Sequence, residues 1–205
     1  MHMVTKQTDL TRDKLLQAAF TEIHLHGFQA ASIANILRDT GLTKGALYHH
    51  FPTKQELGLA VIEEVVSEQL DALIFSRVRD SEQPVCALLQ LIDDSRRRPE
   101  LEAIALGCPL NNLMQEMSPL DEAFKLRLNS ILFTWQSVVE AALRGEQKSG
   151  GVRAEVDCHA AALFIVSAWE GCIGIAKSQQ SLKNFSLCMK QLHGYVLGLL
   201  VTTGK

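Results

Sequence analysis

Proline is scarce, with only five in 205 residues. Each proline removes a backbone donor and breaks a helix interior, so their scarcity favours long helices over a loop-rich all-β fold. The five cysteines, Cys86, Cys108, Cys158, Cys172 and Cys188, are odd in number, widely spaced and never arranged as CxxC. That pattern argues against a disulfide framework and against a zinc knuckle. No charge of one sign dominates, since 20 Lys and Arg face 23 Asp and Glu for a net charge of −3. Any basic footprint for a polyanion must therefore be local. The most apolar run, Ala160 to Trp169, falls short of the roughly 20 residues a membrane span requires. The polar stretch from Met1 to Thr11 lacks the apolar core of a secretion signal. A soluble, cytoplasmic protein without a membrane partner is the expectation. P-loop, nucleophile-elbow and dinucleotide fingerprints are also missing, so no enzyme is expected.

What is present is helical periodicity. From Thr11, the run TRDKLLQAAFTEIHLHG places Leu15, Leu16, Ala19, Phe20 and Ile23 on one side of a helix that Gly27 stops. Ser32 is a good N-cap for a short second helix carrying Ile33, Ile36 and Leu37, which Thr40-Gly41 ends. Thr43 caps a third helix, which must stop by Pro52. Thr53 opens a longer one from Lys54 towards Arg79, with apolar positions at Leu57, Val61, Val65, Leu70 and Leu73. Two short helices joined through a glycine bend are the pattern of a helix-turn-helix, whose second helix enters the major groove.

Beyond residue 80 the pattern remains helical. Breaks fall near Ser81–Pro84, Arg98-Pro99, Gly107–Pro109, Ser118-Pro119, Gly145–Gly151 and Gln179–Lys183, and neither strand alternation nor an internal repeat occurs. The fold class is all-α. The last two helices, roughly 157–178 and 185–201, stand apart. The first is apolar all round through Ala160–Val166, as a central or partner-covered helix would be. The second pairs Gly194 with Gly198 at i, i+4 beside Leu192, Tyr195, Val196, Leu199 and Leu200, permitting close helix approach. Together they are material for a homodimer interface.

The segment TKGALYHHF, Thr43 to Phe51, is the most polar-crowded short helix. Ala46, Leu47 and Phe51 can face a core while Lys44, Tyr48 and His49 project outwards, and the small Gly45 and Ala46 let the backbone approach a groove. Base readout needs donors and acceptors on such a surface, and phosphate docking needs cations or hydroxyls. Residues 1–60 hold six Lys and Arg against five Asp and Glu. Docking geometry must then contribute more than bulk charge. A metal centre is not expected, because the adjacent His49 and His50 point about 100° apart on a helix. His24 and His26 fare no better, and no cofactor is expected.

The stretch Ser32 to Leu57, SIANILRDTGLTKGALYHHFPTKQEL, resembles the N-terminal signature of the TetR/AcrR family of bacterial transcriptional regulators. The resemblance implies an all-helical homodimer of about nine helices. A helix-turn-helix DNA-binding domain would occupy 1–53 and an effector-binding and dimerisation domain 54–205, connected by helix four at about 54–79. It implies a repressor that binds a pseudo-palindromic operator as a dimer and is released by a small-molecule effector. Carried over residue by residue, it assigns DNA contact to Ser32, Thr43, Lys44, Gly45, Tyr48, His49, His50 and Lys54. Leu37 departs from the family pattern by replacing a residue that is often small.

For the effector pocket the candidates are Cys108, Asn111, Asn112, Met114, Phe133, Trp135 and Trp169, with Met117 a further apolar candidate and Glu116 a further polar one. The segment GCPLNNLMQE is similar to a stretch of NemR-like, electrophile-responsive members. It offers an alternative in which Cys108 is a redox- or electrophile-sensing thiol. A helical small-molecule-binding protein without DNA activity is the other alternative.

Overall fold

The computed structural model describes residues 2–97 and 101–201, with side chains for 10–97 and 104–201. Three helices come first: α1 (His2–His26), α2 (Ile33–Thr40) and α3 (Lys44–His50). Helix α1 begins well before Thr11, where the apolar spacing starts. Side chains close the next three helix starts. Ser32 accepts from the Asn35 N–H, Thr43 from that of Ala46, and Thr53 forms a reciprocal capping box with Glu56. Each such cap contributes about 1 kcal/mol. Gly41 ends α2 in the left-handed region at φ 68°, a conformation glycine enters without a Cβ penalty.

Helix α4 runs from Lys54 to Arg79 but is not uniform. It is α-helical over Lys54–Ala60, Ser67–Leu70 and Ser76–Arg79, and π-helical over Val61–Val66 and Asp71–Phe75. The wider π turns shift the buried stripe. Leu57, Val61, Val65 and Leu70 are buried as their spacing predicts, but Leu73 is 62% exposed while Ile74 and Phe75 take the inward places. A strict α-helical period cannot register that offset.

The remaining helices are α5 (Pro84–Arg97), α6 (Leu101–Leu106), α7 (Pro109–Met117), α8 (Glu122–Lys148), α9 (Cys158–Gln179) and α10 (Leu182–Gly198). The expected break at Arg98-Pro99 lies outside the described residues. The chain forms two compact units, one of residues 1–69 with 109–129, the other of 70–108 with 130–205.

In the first unit, Leu15, Ala19, Ile36, Leu47, Phe51 and Leu57 are buried together with the start of α8 at Phe124. Phe28 packs against Phe124 with ring centroids 4.5 Å apart and ring planes tilted by 53°. Both rings press on Gly58, where an added Cβ would overlap Phe28 and lie 2.8 Å from the Phe124 ring. Gly58→Ala is therefore expected to lower stability by about 1–2 kcal/mol, because overpacking outweighs alanine's better helix propensity. Urea midpoints of the two proteins check this.

In the second unit, α9 and α10 are antiparallel neighbours joined through a tight turn at Gln180 and Ser181. The structure joins Cys172 to Cys188 in a disulfide between them, with Cα atoms 5.5 Å apart. This single bridge was not anticipated by the argument against a disulfide framework, and Cys86, Cys108 and Cys158 remain outside any disulfide. A separation of 16 residues looks unremarkable along the chain, yet the turn brings the two positions face to face. At 22 residues α9 is longer than its unbroken apolar run and could cross a membrane by length and composition alone, yet it packs as a core helix of the second unit. Its apolar stripe extends past Trp169, the end of the unbroken run. One side of α9 is buried through Ala162, Ile165, Val166 and Trp169, while Leu163, Phe164 and Ile175 remain about half exposed.

Candidate nucleic-acid interface

Helix α3 divides its residues by face. Leu47 is fully buried and Phe51, its C-cap, is 3% exposed, so these two side chains seat the helix on the core. Ala46 is half-buried. Lys44, Gly45, Tyr48 and His49 are exposed, and His50 is half-buried at the edge. The Lys44 ammonium lies 5.7 Å from the Tyr48 ring, and the His49 and His50 rings meet edge-on at 5.3 Å. One short helix thus exposes a cation, a phenol and an imidazole, with a second imidazole at the edge of the core. Groups of these kinds are able to supply charge for phosphate docking and donors and acceptors for base edges. Thr43 sits exposed at the N-terminus of this helix, its hydroxyl oxygen accepting from the Ala46 N–H at 3.2 Å.

Ser32 is half-buried at the start of α2. Its own N–H donates to Glu22 at 2.9 Å, and the same Glu22 oxygen accepts from the Asn35 amide at 2.9 Å. Burial alone would push the Glu22 carboxyl up. The hydrogen bonds from Ser32 and Asn35, with nearby His26 and Arg38, hold it below its ordinary value instead. Glu22 thus anchors the helix-turn-helix from within α1, a role its single charge among apolar neighbours did not advertise.

Lys54 does not extend into open solvent. Its ammonium donates to the Gln29 carbonyl at 2.9 Å and lies 5.0 Å from the Phe28 ring. Nearby, Arg12 of α1 covers the Phe51 ring at 5.1 Å and donates to both oxygens of Glu64, one of these bonds measuring 2.7 Å. That pairing holds the Glu64 carboxyl below its ordinary value. The adjacent Glu63 accepts from Arg127 of α8 at 2.6 Å. Two ion pairs therefore start from adjacent residues within the first π-helical stretch of α4. Sequence reading missed both, because their partners lie 52 and 64 residues away.

The effector-pocket candidates are divided between the two units. Asn111, Asn112 and Met114 belong to the first unit, and Cys108, Phe133, Trp135 and Trp169 to the second. Within the second unit the Trp135 and Trp169 rings meet edge-to-face at 5.9 Å, with Phe75 at 6.0 Å from Trp135. Phe133 does not join them. It is 69% exposed and lines a surface groove of about 450 Å³ with Val78, Arg79 and Pro84.

Cys108, 8% exposed, immediately precedes α7 and lies against Glu170 of α9. Glu170 is itself 8% exposed, and its carboxylate oxygens have no nitrogen or oxygen partner. Burial pushes its pKa up to about 7, against a smaller lowering by the Cys108 thiol. Sequence reading singled out Cys108 and passed over Glu170. Among the described residues, no cluster of His, Cys, Asp and Glu is placed to hold a metal ion.

A three-helix head with an exposed, polar recognition helix, continued by a larger helical portion, defines a helix-turn-helix DNA-binding regulator. Residues 15–61 match the model of the bacterial regulatory proteins of the tetR family, and residues 84–192 that of the tetracyclin repressor-like C-terminal domain. The chain belongs to the TetR family of bacterial transcriptional regulators, and is a regulator rather than an enzyme. It is similar to the transcriptional regulator AcuR of Cereibacter sphaeroides, 29% identical over 168 residues, or 82% of this chain and 77% of AcuR. An uncharacterised HTH-type regulator from the lacX 3' region of Lactococcus lactis is 32% identical over 129 residues. That alignment spans 63% of this chain and 66% of the relative, just under two thirds of its length. The crystal structure of reduced Escherichia coli NemR shares the fold at 18% identity, with a TM-score of 0.81, covering 95% of this chain and 99% of NemR.

Proposed function

We propose that the protein is a homodimeric repressor that binds a pseudo-palindromic operator and leaves it when a small molecule binds the C-terminal domain. The observation that carries this reading is α3, on which Leu47 and Phe51 are buried while Lys44, Tyr48 and His49 face outwards. In this reading Thr43, Lys44, Gly45, Tyr48, His49 and His50 meet the major groove, and Ser32 and Lys54 hold phosphates on either side. The division into a DNA-binding domain at 1–53 and an effector domain at 54–205 is part of the same proposal. A second copy covers the half-exposed Leu163, Phe164 and Ile175 of α9 and the open Gly194 and Gly198 of α10. The two heads then engage half-sites about 34–36 Å apart. The effector acts by preferring the conformation that does not fit the operator.

Selection of bound fragments from genomic DNA, followed by mobility shift, tests the reading. Absence of any specific complex at low salt would overturn it in favour of a helical small-molecule-binding protein. Lys54→Ala is expected to weaken binding alike on all sequences and to reduce the slope of log K against log salt by about one. The sensor reading of Cys108 requires an electropositive setting that favours the thiolate. Cys108 is instead buried against the Glu170 carboxyl group, which favours the effector-pocket reading.

A further inference from the structure

The turn between α1 and α2 is held from far away in sequence. Its Phe28 and Gln29 N–H groups donate to the two carboxylate oxygens of Glu116 on α7, at 2.8 and 2.9 Å. Charged acceptors make such hydrogen bonds about twice as strong as neutral pairs. The fit leaves no slack, because Gly27 sits at φ 81° and a Cβ there would lie 2.9 Å from a Glu116 oxygen. The opposite side of the same turn holds Lys54, through the Gln29 carbonyl and the Phe28 ring. Phe28 is fixed in its turn by Phe124 and the bare backbone of Gly58. The carboxylate takes the Gln29 N–H and the ammonium its C=O, so the two successive peptide units on either side of the Gln29 Cα are each held by a charge. All of these residues belong to the first unit.

We propose that Glu116 is a positioning residue for the phosphate contact of Lys54. The inference rests on the reading of Lys54 as a phosphate ligand. A lysine is a compact charge on a flexible four-carbon stem, and holding that stem in place lowers the entropy lost on docking. Glu116 does this without touching DNA, by fixing the turn against which Lys54 rests. It also lies inside the stretch that matches the family's C-terminal domain, so that domain supplies one of the head's own fastenings.

The sign of the expected effect separates this role from bulk electrostatics. Removing a negative charge near DNA should by itself strengthen binding. Glu116→Gln is expected to weaken it about tenfold, the loss typical of one charge-assisted hydrogen bond. The probes are a duplex recovered by the genomic selection and a duplex of random sequence, with affinity measured across salt. The salt slope should fall by about one for Glu116→Gln, as for Lys54→Ala, and the double variant should lose little beyond Lys54→Ala alone.

Glu63→Gln makes the same chemical change in the same unit without touching the turn, and should leave the slope unaltered. Glu116→Asp, too short to reach both N–H groups, should behave like Glu116→Gln and serves if that variant does not fold. A wild-type slope for both Glu116 variants, or losses that add fully to Lys54→Ala, would overturn the proposal. Lys54→Ala with an unchanged slope would overturn the reading of Lys54 itself, and that single arm tells the two failures apart.

Discussion

Glu170→Gln is expected to stabilise this protein relative to wild type above about pH 7, by up to about 3 kcal/mol, and to lose that advantage in acid. The carboxylate is buried in α9 without a nitrogen or oxygen partner, and burial lifts its pKa from 4.5 to about 7. The unfolded chain releases this proton near its ordinary pKa, whereas the folded protein holds it until about pH 7. Between those values the folded state binds more protons, so stability falls as pH rises, then levels off. Glutamine has no proton to lose and removes that slope. It brings an amide with its own desolvation cost, so the pH dependence is more diagnostic than the absolute difference. Urea midpoints of both proteins at several pH values between about 4.5 and 8 check this. Parallel curves would show that Glu170 ionises in the folded protein as it does in water.

Trp135→Ala is expected to cost about 3–5 kcal/mol, the range for deleting a buried aromatic ring. Trp135 is 2% exposed and meets both Phe75 of α4 and Trp169 of α9, so its removal leaves a void between three helices. A loss of that size is a large fraction of a typical domain's stability. Chemical denaturation should show the transition at much lower urea, and Trp135→Phe should recover part of it. A loss below about 1 kcal/mol would mean that the helices close over the space.

The recognition helix was legible because its signals are local. Ser32, Thr43 and Thr53 cap within three residues of themselves, and the positions of Leu47 and Phe51 follow from helical spacing alone. The outward placing of Lys44, Tyr48 and His49 followed from the same arithmetic. What escaped was set by long-range partners or irregular helix. Leu73 points outwards because of π turns that no apolar period reveals. Cys172 and Cys188 meet because two helices fold back at Gln180. Glu22 and Glu170 each read as an ordinary charge among neighbours of mixed kind, and Glu116 as a polar candidate for the effector pocket. Their importance lies in groups 10, 62 and 88 residues away, at Ser32, Cys108 and Phe28. The pocket residues were chosen for their chemistry, and nothing along the chain says that Phe133 faces outwards while Trp135, two residues on, faces in.

The grouping of Pro109–Asn129 with the N-terminal helices bears on how this protein can be recombined. A chimera cut after Thr53, or even after the end of α4, would carry the recognition helix but leave Glu116, Phe124 and Arg127 behind. Either transplanted head would lose the fastening of its first turn and the partner of Phe28, and the longer one also the counter-ion of Glu63. The exchangeable cassette is discontinuous, and a working graft of this DNA specificity must bring α7 and the first turns of α8 with it.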